Sequence, residues 1–297
     1  MSSTIDRRKF FLSSAALAAG AAVGVAATDT GGPKSPRLFS GCCAYSYRKY
    51  LQHGPMTMEQ FIEKAVELRL DGVDMTGYYF KSTDPDYLGS LRHLAYRNGV
   101  AFSGTACGVS MVQADAAKRA GTVTEIKKWV DIADALGAPH LRVFAGKLPP
   151  GVTIQQSIGW VVDAMKVACD YSGKKGIMIG IEDHSGVTQS ADVCLEIMHR
   201  VDSPYAGINL DITHFVPTAT EDGYAQIKAC LPYATNTHIR DKFDDGSPID
   251  LDRVWRLFAD AGFKGFMSAE FEGKDPATGV PALVEKIRVL CKKYSSV

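Results

Sequence analysis

The feature that most constrains the fold is an alternation, from Arg37 onward, of short apolar or β-branched runs with longer amphipathic stretches. The runs predict eight strands, at residues 38–44, 72–75, 101–105, 140–144, 177–181, 207–210, 235–239 and 265–269. Strands that alternate with helices are typical of a parallel sheet, and eight such pairs are the number in a closed (β/α)8 barrel. The sequence therefore predicts one α/β domain, a TIM barrel over residues 37–297.

The stretches between the strands have the apolar spacing of helices, as at Phe61, Ala65 and Leu68. They predict helices at residues 58–68, 87–98, 112–136, 154–172, 191–201, 224–231, 251–261 and 280–294. Glycine follows several of them, for example Gly137 and Gly262, where a left-handed residue commonly ends a helix. No G-x-G-x-x-G or phosphate-binding loop follows a predicted strand, which argues against an open dinucleotide-binding sheet.

The N-terminus has a different composition from the rest of the chain. Arg7 and Arg8 precede an uncharged stretch, rich in alanine and glycine, that ends near Ala27. Paired arginines before a mildly apolar stretch resemble a twin-arginine export signal, so residues 1–28 are predicted to be a signal peptide and 29–36 a short linker. The alternative is an uncleaved membrane anchor, but the glycines and serines make this stretch short and weakly apolar for a membrane span.

Export determines the expected surroundings of the protein. A twin-arginine signal implies the twin-arginine export machinery as a partner and a periplasmic or extracellular location, with no membrane contact in the mature form. The seven cysteines are odd in number and form no C-x-x-C pair, so the sequence predicts neither a disulfide framework nor a zinc-thiolate site. Lysine plus arginine and aspartate plus glutamate each number 33, and this neutral balance argues against a nucleic-acid partner.

Four residues with metal-binding side chains lie at the ends of consecutive predicted strands. They are Glu182, Asp211, His238 and Glu270, and they are separated by 29, 27 and 32 residues, about one βα unit each. Because a TIM barrel builds its site where strands end, these side chains are expected at one level around the barrel axis. Three carboxylates and one imidazole suit a divalent cation, with Mn²⁺ preferred and Mg²⁺, Co²⁺ or Zn²⁺ as alternatives.

The motifs around these residues resemble those of the xylose-isomerase-like TIM-barrel superfamily. They are I-E-D-H at 181–184, L-D-I-T-H at 210–214, H-I-R-D at 238–241 and A-E-F-E-G at 269–273. This group includes ketose 3-epimerases, inosose dehydratases and isomerases, hydroxypyruvate isomerases and the endonuclease IV branch. The resemblance covers residues 37 to about 295. It implies one divalent cation in the site and, as in many relatives, assembly into homo-oligomers.

The resemblance also implies roles for single residues. Glu182 and Glu270 match the glutamates that act as an acid/base pair on the two faces of a sugar. His214 matches a histidine that contacts substrate oxygens. Arg240 could bind a hydroxyl or stabilise enediolate charge, and the alternative is a local ion pair with Asp241 at the barrel rim.

Several further side chains are weaker candidates. His184 is expected either to face the pocket or to orient Glu182. Tyr45 and Tyr47 are expected either to stack on a sugar or to pack in the core. Other residues are assigned by strand position. Asp74, near the end of the second strand, is expected either to contribute a hydrogen bond or, preferably, to cap a helix. Arg142 and Phe144 are predicted to share one face of the fourth strand.

These residues favour a metal-dependent isomerase or epimerase that acts on a non-phosphorylated sugar, keto-sugar or cyclitol through an enediolate. The same chemistry would serve a lyase that performs β-elimination on a keto-sugar or keto-glycoside. A phosphodiesterase of the endonuclease IV type is disfavoured, because the first three strands end at Tyr45, Asp74 and Thr105 rather than at histidines. A non-catalytic, secreted sugar-binding barrel is the third alternative, although binding alone does not need two opposed glutamates.

Overall fold

The computed structural model describes residues 35–219 and 222–295. The predicted signal peptide lies outside these residues, as does most of the predicted linker. The described chain forms eight parallel strands that close into a barrel in sequence order, with β1 hydrogen-bonded to β8. The strands are β1 Arg37–Cys43, β2 Gly72–Thr76, β3 Ala101–Ser110, β4 His140–Phe144, β5 Met178–Glu182, β6 Ala206–Asp211, β7 Ala234–Ile239 and β8 Lys264–Ala269. The predicted (β/α)8 barrel is therefore confirmed.

The helices surround the barrel. They are α1 Arg48–His53, α2 Met58–Glu67, α3 Pro85–Arg97, α4 Ala116–Leu136, α5 Ile154–Gly173, α6 Ala191–Val201, α7 Gly223–Cys230, α8 Leu251–Ala261 and α9 Pro276–Tyr294. Every predicted helix is present, and the short α1 is an addition that hydrophobic periodicity did not reveal. Strand β3 continues five residues beyond its predicted end at Thr105. None of the described helices combines the length and apolar character that a membrane span requires.

Local sequence signals explain where the helices begin and end. Thr57 and Thr153 each open a helix with a capping box, in which the threonine and a glutamine three residues later satisfy each other's backbone N–H. Gly137 and Gly262 end α4 and α8 with φ of 81° and 72°, a conformation that costs glycine little because it lacks a Cβ. The predicted glycine stops at these two positions are confirmed.

The strands separate an apolar layer from a polar interior. Outward-facing strand residues such as Ile179, Ile208 and Leu210 are fully buried against the helices and form the main core. The barrel interior instead contains buried polar side chains. Its lower end is closed by Phe39 and Phe266, whose ring centroids lie 5.4 Å apart. Polar groups inside a barrel are tolerated when they are hydrogen-bonded or paired, and their upper layer forms the candidate site.

Candidate metal centre

The four predicted ligand residues come together at the carboxyl ends of the strands. Glu182 and Asp211 end β5 and β6, His238 lies near the end of β7, and Glu270 directly follows β8. The Nδ1 atom of His238 is 3.3 Å from Glu270 Oε1 and 3.8 Å from Glu182 Oε2. One ligand atom each from Glu182, Asp211 and His238 lies within 4.8 Å of the others, and all four residues are buried. The barrel therefore places them as one cluster, which we call the carboxylate cluster.

The chemistry of the carboxylate cluster fits a divalent cation. Burial raises the pKa of Glu270 to about 7. Burial opposes the imidazolium form of His238, yet nearby Glu270 and Cys43 raise its pKa well above the usual value. Glu182 Oε2 is buried and accepts no aligned hydrogen bond within the described structure, although Arg142 Nε lies 2.8 Å from it. Buried carboxylates with a free lone pair are costly unless a cation satisfies them, and oxygen and nitrogen donors are those that Mn²⁺ and Zn²⁺ accept.

Arg240 contacts the same carboxylates from above. Its Nη2 atom is 2.9 Å from Asp211 Oδ2 and 3.1 Å from Glu270 Oε2, and its Nη1 atom is 2.8 Å from Glu272 Oε2. Burial alone would raise the pKa of Asp211, but Arg240 is the main cause that holds it well below its usual range. The alternative of a rim ion pair with Asp241 is wrong, because Asp241 pairs with Lys286 at 2.8 Å.

Arg142 is a second cation of the site, a role that the sequence pattern did not indicate. It is buried inside the barrel, with Nε 2.8 Å from Glu182 Oε2 in an ion pair that lacks hydrogen-bond alignment. Its Nη1 atom donates to the hydroxyl of Tyr78 and to the carbonyl of Cys107. The predicted shared face with Phe144 is confirmed, since the guanidinium lies 4.0 Å from that ring centroid. The sequence signal that could have indicated this role was the position of Arg142 between apolar residues of a predicted strand, where its charged side chain is expected to face the barrel interior.

Replacement of Arg142 by glutamine is expected to lower the free energy of unfolding by about 3 kcal/mol, because it leaves the buried carboxylate of Glu182 without its cation. Urea denaturation of both proteins measures the change. Arg256→Gln is the matched control, since its pair with Asp252 is on the surface and is worth at most about 1 kcal/mol. An equal, small loss in the two variants would show that Arg142 does not stabilise the site.

Two histidines form the wall of the site next to Asp211. The Nδ1–H group of His214 donates to Asp244 Oδ2 at 2.6 Å, and the Nε2 atom of His214 is 3.4 Å from Asp211 Oδ2. The His184 and His214 ring centroids are 4.5 Å apart. The Nδ1 atom of His184 contacts Ser185 Oγ rather than Glu182, so the structure favours the pocket-facing expectation for His184 over the orienting one. Ligand atoms of Glu182, His184 and His214 also lie within 4.8 Å of one another.

The remaining candidates divide between site and core. Tyr45 lies half-buried in a 3₁₀ turn after β1, with the Arg48 guanidinium 4.5 Å from its ring centroid. Tyr47 is buried against Phe61, with ring centroids 6.0 Å apart, so its core-packing alternative is confirmed. The helix-cap prediction for Asp74 is wrong. The alternative expectation of a hydrogen bond is confirmed, because this carboxylate is fully buried inside the barrel and accepts a hydrogen bond of 2.9 Å from Asn236.

Solved structures of similar fold cover nearly the whole barrel. The IolI protein with a bound zinc atom has a TM-score of 0.72 and 16% identity over 88% of this chain and 100% of its own. The apo 3-keto-D-glucoside 4-epimerase of E. coli has a TM-score of 0.68 and 15% identity over 86% and 99%. D-psicose 3-epimerase, crystallised in the presence of D-fructose, has a TM-score of 0.68 and 15% identity over 83% and 89%. The TM-scores show that the fold is shared despite these low sequence identities.

The comparison with curated proteins finds no match. The sequence profile of one family, described as Xylose isomerase-like TIM barrel, matches residues 62–293, which is well over half of the chain. That match spans the strands β2 to β8 and includes all four residues of the carboxylate cluster. The chain belongs to the xylose isomerase-like TIM barrel family.

Proposed function

We propose that this protein is a metal-dependent isomerase or epimerase that acts on a non-phosphorylated sugar, keto-sugar or cyclitol through an enediolate. The observation that carries the proposal is the placement of Glu182 at the end of β5 and of Glu270 directly after β8, from which both approach His238 Nδ1. Two carboxylates that approach one centre from different sides of a barrel can reach both faces of a flat intermediate. The structural relatives named as epimerases support the same class of reaction.

The residues that would hold the cation are Glu182, Asp211, His238 and Glu270, with Mn²⁺ as the preferred ion. When bound, the cation would act as a Lewis acid that stabilises negative charge on the substrate oxygens. One glutamate then removes the proton from the carbon next to the carbonyl. The other glutamate returns a proton to the opposite face, which inverts that carbon. Alternatively, it protonates the former carbonyl carbon while the proton of the neighbouring hydroxyl passes to the former carbonyl oxygen, which moves the carbonyl.

The surrounding side chains orient the substrate and the catalytic carboxylates. His214 and Arg240 are within reach of substrate hydroxyls, because both touch Asp211 and both face the carboxylate cluster. Arg142 keeps Glu182 in place, and its own position is fixed by Tyr78. Phe144 and His184 pack edge to face, with ring centroids 5.2 Å apart.

We further propose that the protein is exported by its twin-arginine signal and works in the periplasm or outside the cell. The support is the sequence of residues 1–28. Phosphorylated sugars are scarce outside the cytoplasm, which favours a substrate without phosphate.

The proposal predicts about one divalent ion per chain and exchange of solvent deuterium into a substrate ketose. Metal analysis of the purified protein, followed by proton NMR of a panel of ketoses in D₂O, measures both. Exchange that disappears with EDTA and returns with Mn²⁺ supports an enolising metalloenzyme. Bound metal with no exchange into any ketose, keto-glycoside or inosose would contradict the proposed reaction.

A further inference from the structure

A cavity of about 470 Å³ lies beside the carboxylate cluster, between the loop after β7 and the loop after β8. We call it the side pocket. Among the described residues of the cluster, only Glu270 lines it, together with Arg240. A reacting carbon must lie between Glu182 and Glu270, so the side pocket is space in addition to that occupied by the reacting group. Its volume alone is within the range of about 300–1,000 Å³ that is typical of ligand sites.

The walls of the side pocket are held in place by hydrogen bonds. In the loop after β7, the backbone N–H of Phe243 donates to Ser247 O at 2.9 Å and that of Ile249 to Asp241 O at 3.0 Å. This loop is also tied to the site, because Asp244 N donates to Thr213 O. A loop closed in this way does not need to be ordered by the ligand, so little conformational entropy would be lost on binding.

The opposite wall is fixed by the first βα unit. Arg48 donates through Nη1 to Phe271 O at 2.9 Å and through Nη2 to Glu272 O at 3.2 Å. Lys49 donates to the carbonyl of Lys274 at 2.8 Å. Two basic side chains of α1 therefore bind the backbone carbonyls of the loop after β8, and the side pocket is preformed.

The chemistry of the walls suits a ring with many hydroxyl groups. Phe271 lines the pocket, and its ring is seated so closely against Gly279 that a Cβ there would lie 2.0 Å from it. Lys242 extends an ammonium that makes no ion pair or hydrogen bond with the described residues. The carboxylates of Asp244 and Glu272 are already shared with Arg240. Donors, acceptors and an aromatic side chain together suit the hydroxyls and the apolar C–H groups of a sugar.

We propose that the side pocket binds a second, uncharged sugar ring, so that the preferred substrate is a keto-sugar with a glycosidic substituent. This inference rests on the proposed function, since it places the reacting keto-sugar at the carboxylate cluster. Glu270 and Arg240 lie at the boundary between the carboxylate cluster and the side pocket, so the glycosidic oxygen that links the two rings would lie beside them. A free monosaccharide at the cluster would leave the side pocket filled only with water.

Calorimetric binding to the full-length, Mn²⁺-loaded protein tests the inference without requiring turnover. The probes are 3-ketoglucose and a disaccharide of two glucose units in which one ring carries a 3-keto group. We expect the disaccharide to bind at least about tenfold more tightly, the equivalent of one aromatic–sugar contact. Phe271→Ala and Lys242→Ala should each reduce this ratio severalfold, and Lys128→Ala, an exposed lysine on α4, should leave it unchanged.

Equal affinity for the two probes would overturn the inference, as would a ratio that neither pocket variant changes. Tighter binding of a keto-disaccharide whose second ring is a uronic acid would overturn the claim that this ring is uncharged. Failure of the proposed function gives a different result. In that case the disaccharide preference and its loss in Phe271→Ala would persist, while deuterium exchange would be absent with every probe.

Discussion

Glu182→Gln and Glu270→Gln are each expected to slow the interconversion of two epimeric sugars by about 10²–10⁴-fold. Each variant keeps a side-chain oxygen near its original position but can no longer accept or deliver a proton. The two carboxylates approach the cluster from β5 and β8, so neither can take over the face served by the other. Proton NMR of each epimer separately, in D₂O with Mn²⁺-loaded protein, measures interconversion and exchange in the same sample.

Deuterium exchange without interconversion of the epimers distinguishes two catalytic glutamates from one. If each glutamate serves one face, each variant should still exchange deuterium into the epimer whose proton faces the intact glutamate. The two variants should therefore retain exchange for opposite epimers. Glu285→Gln, on the exposed face of α9, is the matched control. Interconversion at more than about a tenth of the wild-type rate in a metal-loaded variant would refute the acid/base assignment.

The parts of this site that could be predicted follow from barrel geometry. The carboxyl ends of parallel strands all lie at the same end of the barrel, so metal-binding side chains at the ends of four successive strands lie close together. Strand positions are therefore enough to bring together Glu182, Asp211, His238 and Glu270, without knowledge of any side-chain conformation. The metal and catalytic roles given to them remain predictions for the experiments above.

Other parts of the site depend on information that local patterns do not contain. Asp74 was expected at a helix start because short polar residues often cap helices, but parity within β2 turns it into the barrel interior. Arg142 forms an ion pair with Glu182, which is 40 residues away in sequence but lies on the adjacent strand. The side pocket depends on contacts between Arg48 and a loop more than 220 residues later. Periodicity describes neighbours along the chain, so it cannot reveal such contacts.

The position of Arg240 links substrate binding to the integrity of the carboxylate cluster. Its guanidinium is shared among Asp211, Glu270 and Glu272, so it bridges the cluster and the side pocket. A planar group with several donors can keep contacts on both sides, which a lysine could not do. The same residue therefore connects the reacting sugar, the proposed second ring and the loop after β8.

Asp211→Asn is expected to remove metal binding and, with it, the stabilisation that the metal gives to the fold. Asparagine is nearly the same size and can still accept from Thr213, whose N–H and hydroxyl both donate to Asp211 Oδ1. It lacks the negative charge, however, and its amide nitrogen would oppose Arg240. For the wild type, Mn²⁺ at about 1,000 times its dissociation constant should add about 4 kcal/mol to the free energy of unfolding.

Thermal unfolding with and without Mn²⁺ measures this stabilisation. A gain of that size corresponds to a rise in Tm of about 10 °C for a domain of this length, and EDTA should reverse it. We expect no such rise for Asp211→Asn, whereas Asp260→Asn, at an exposed position on α8, should behave like the wild type. A full metal-dependent rise in Asp211→Asn would place the cation elsewhere, and Glu182, His184 and His214 would then be the ligand set to test, because their ligand atoms also converge.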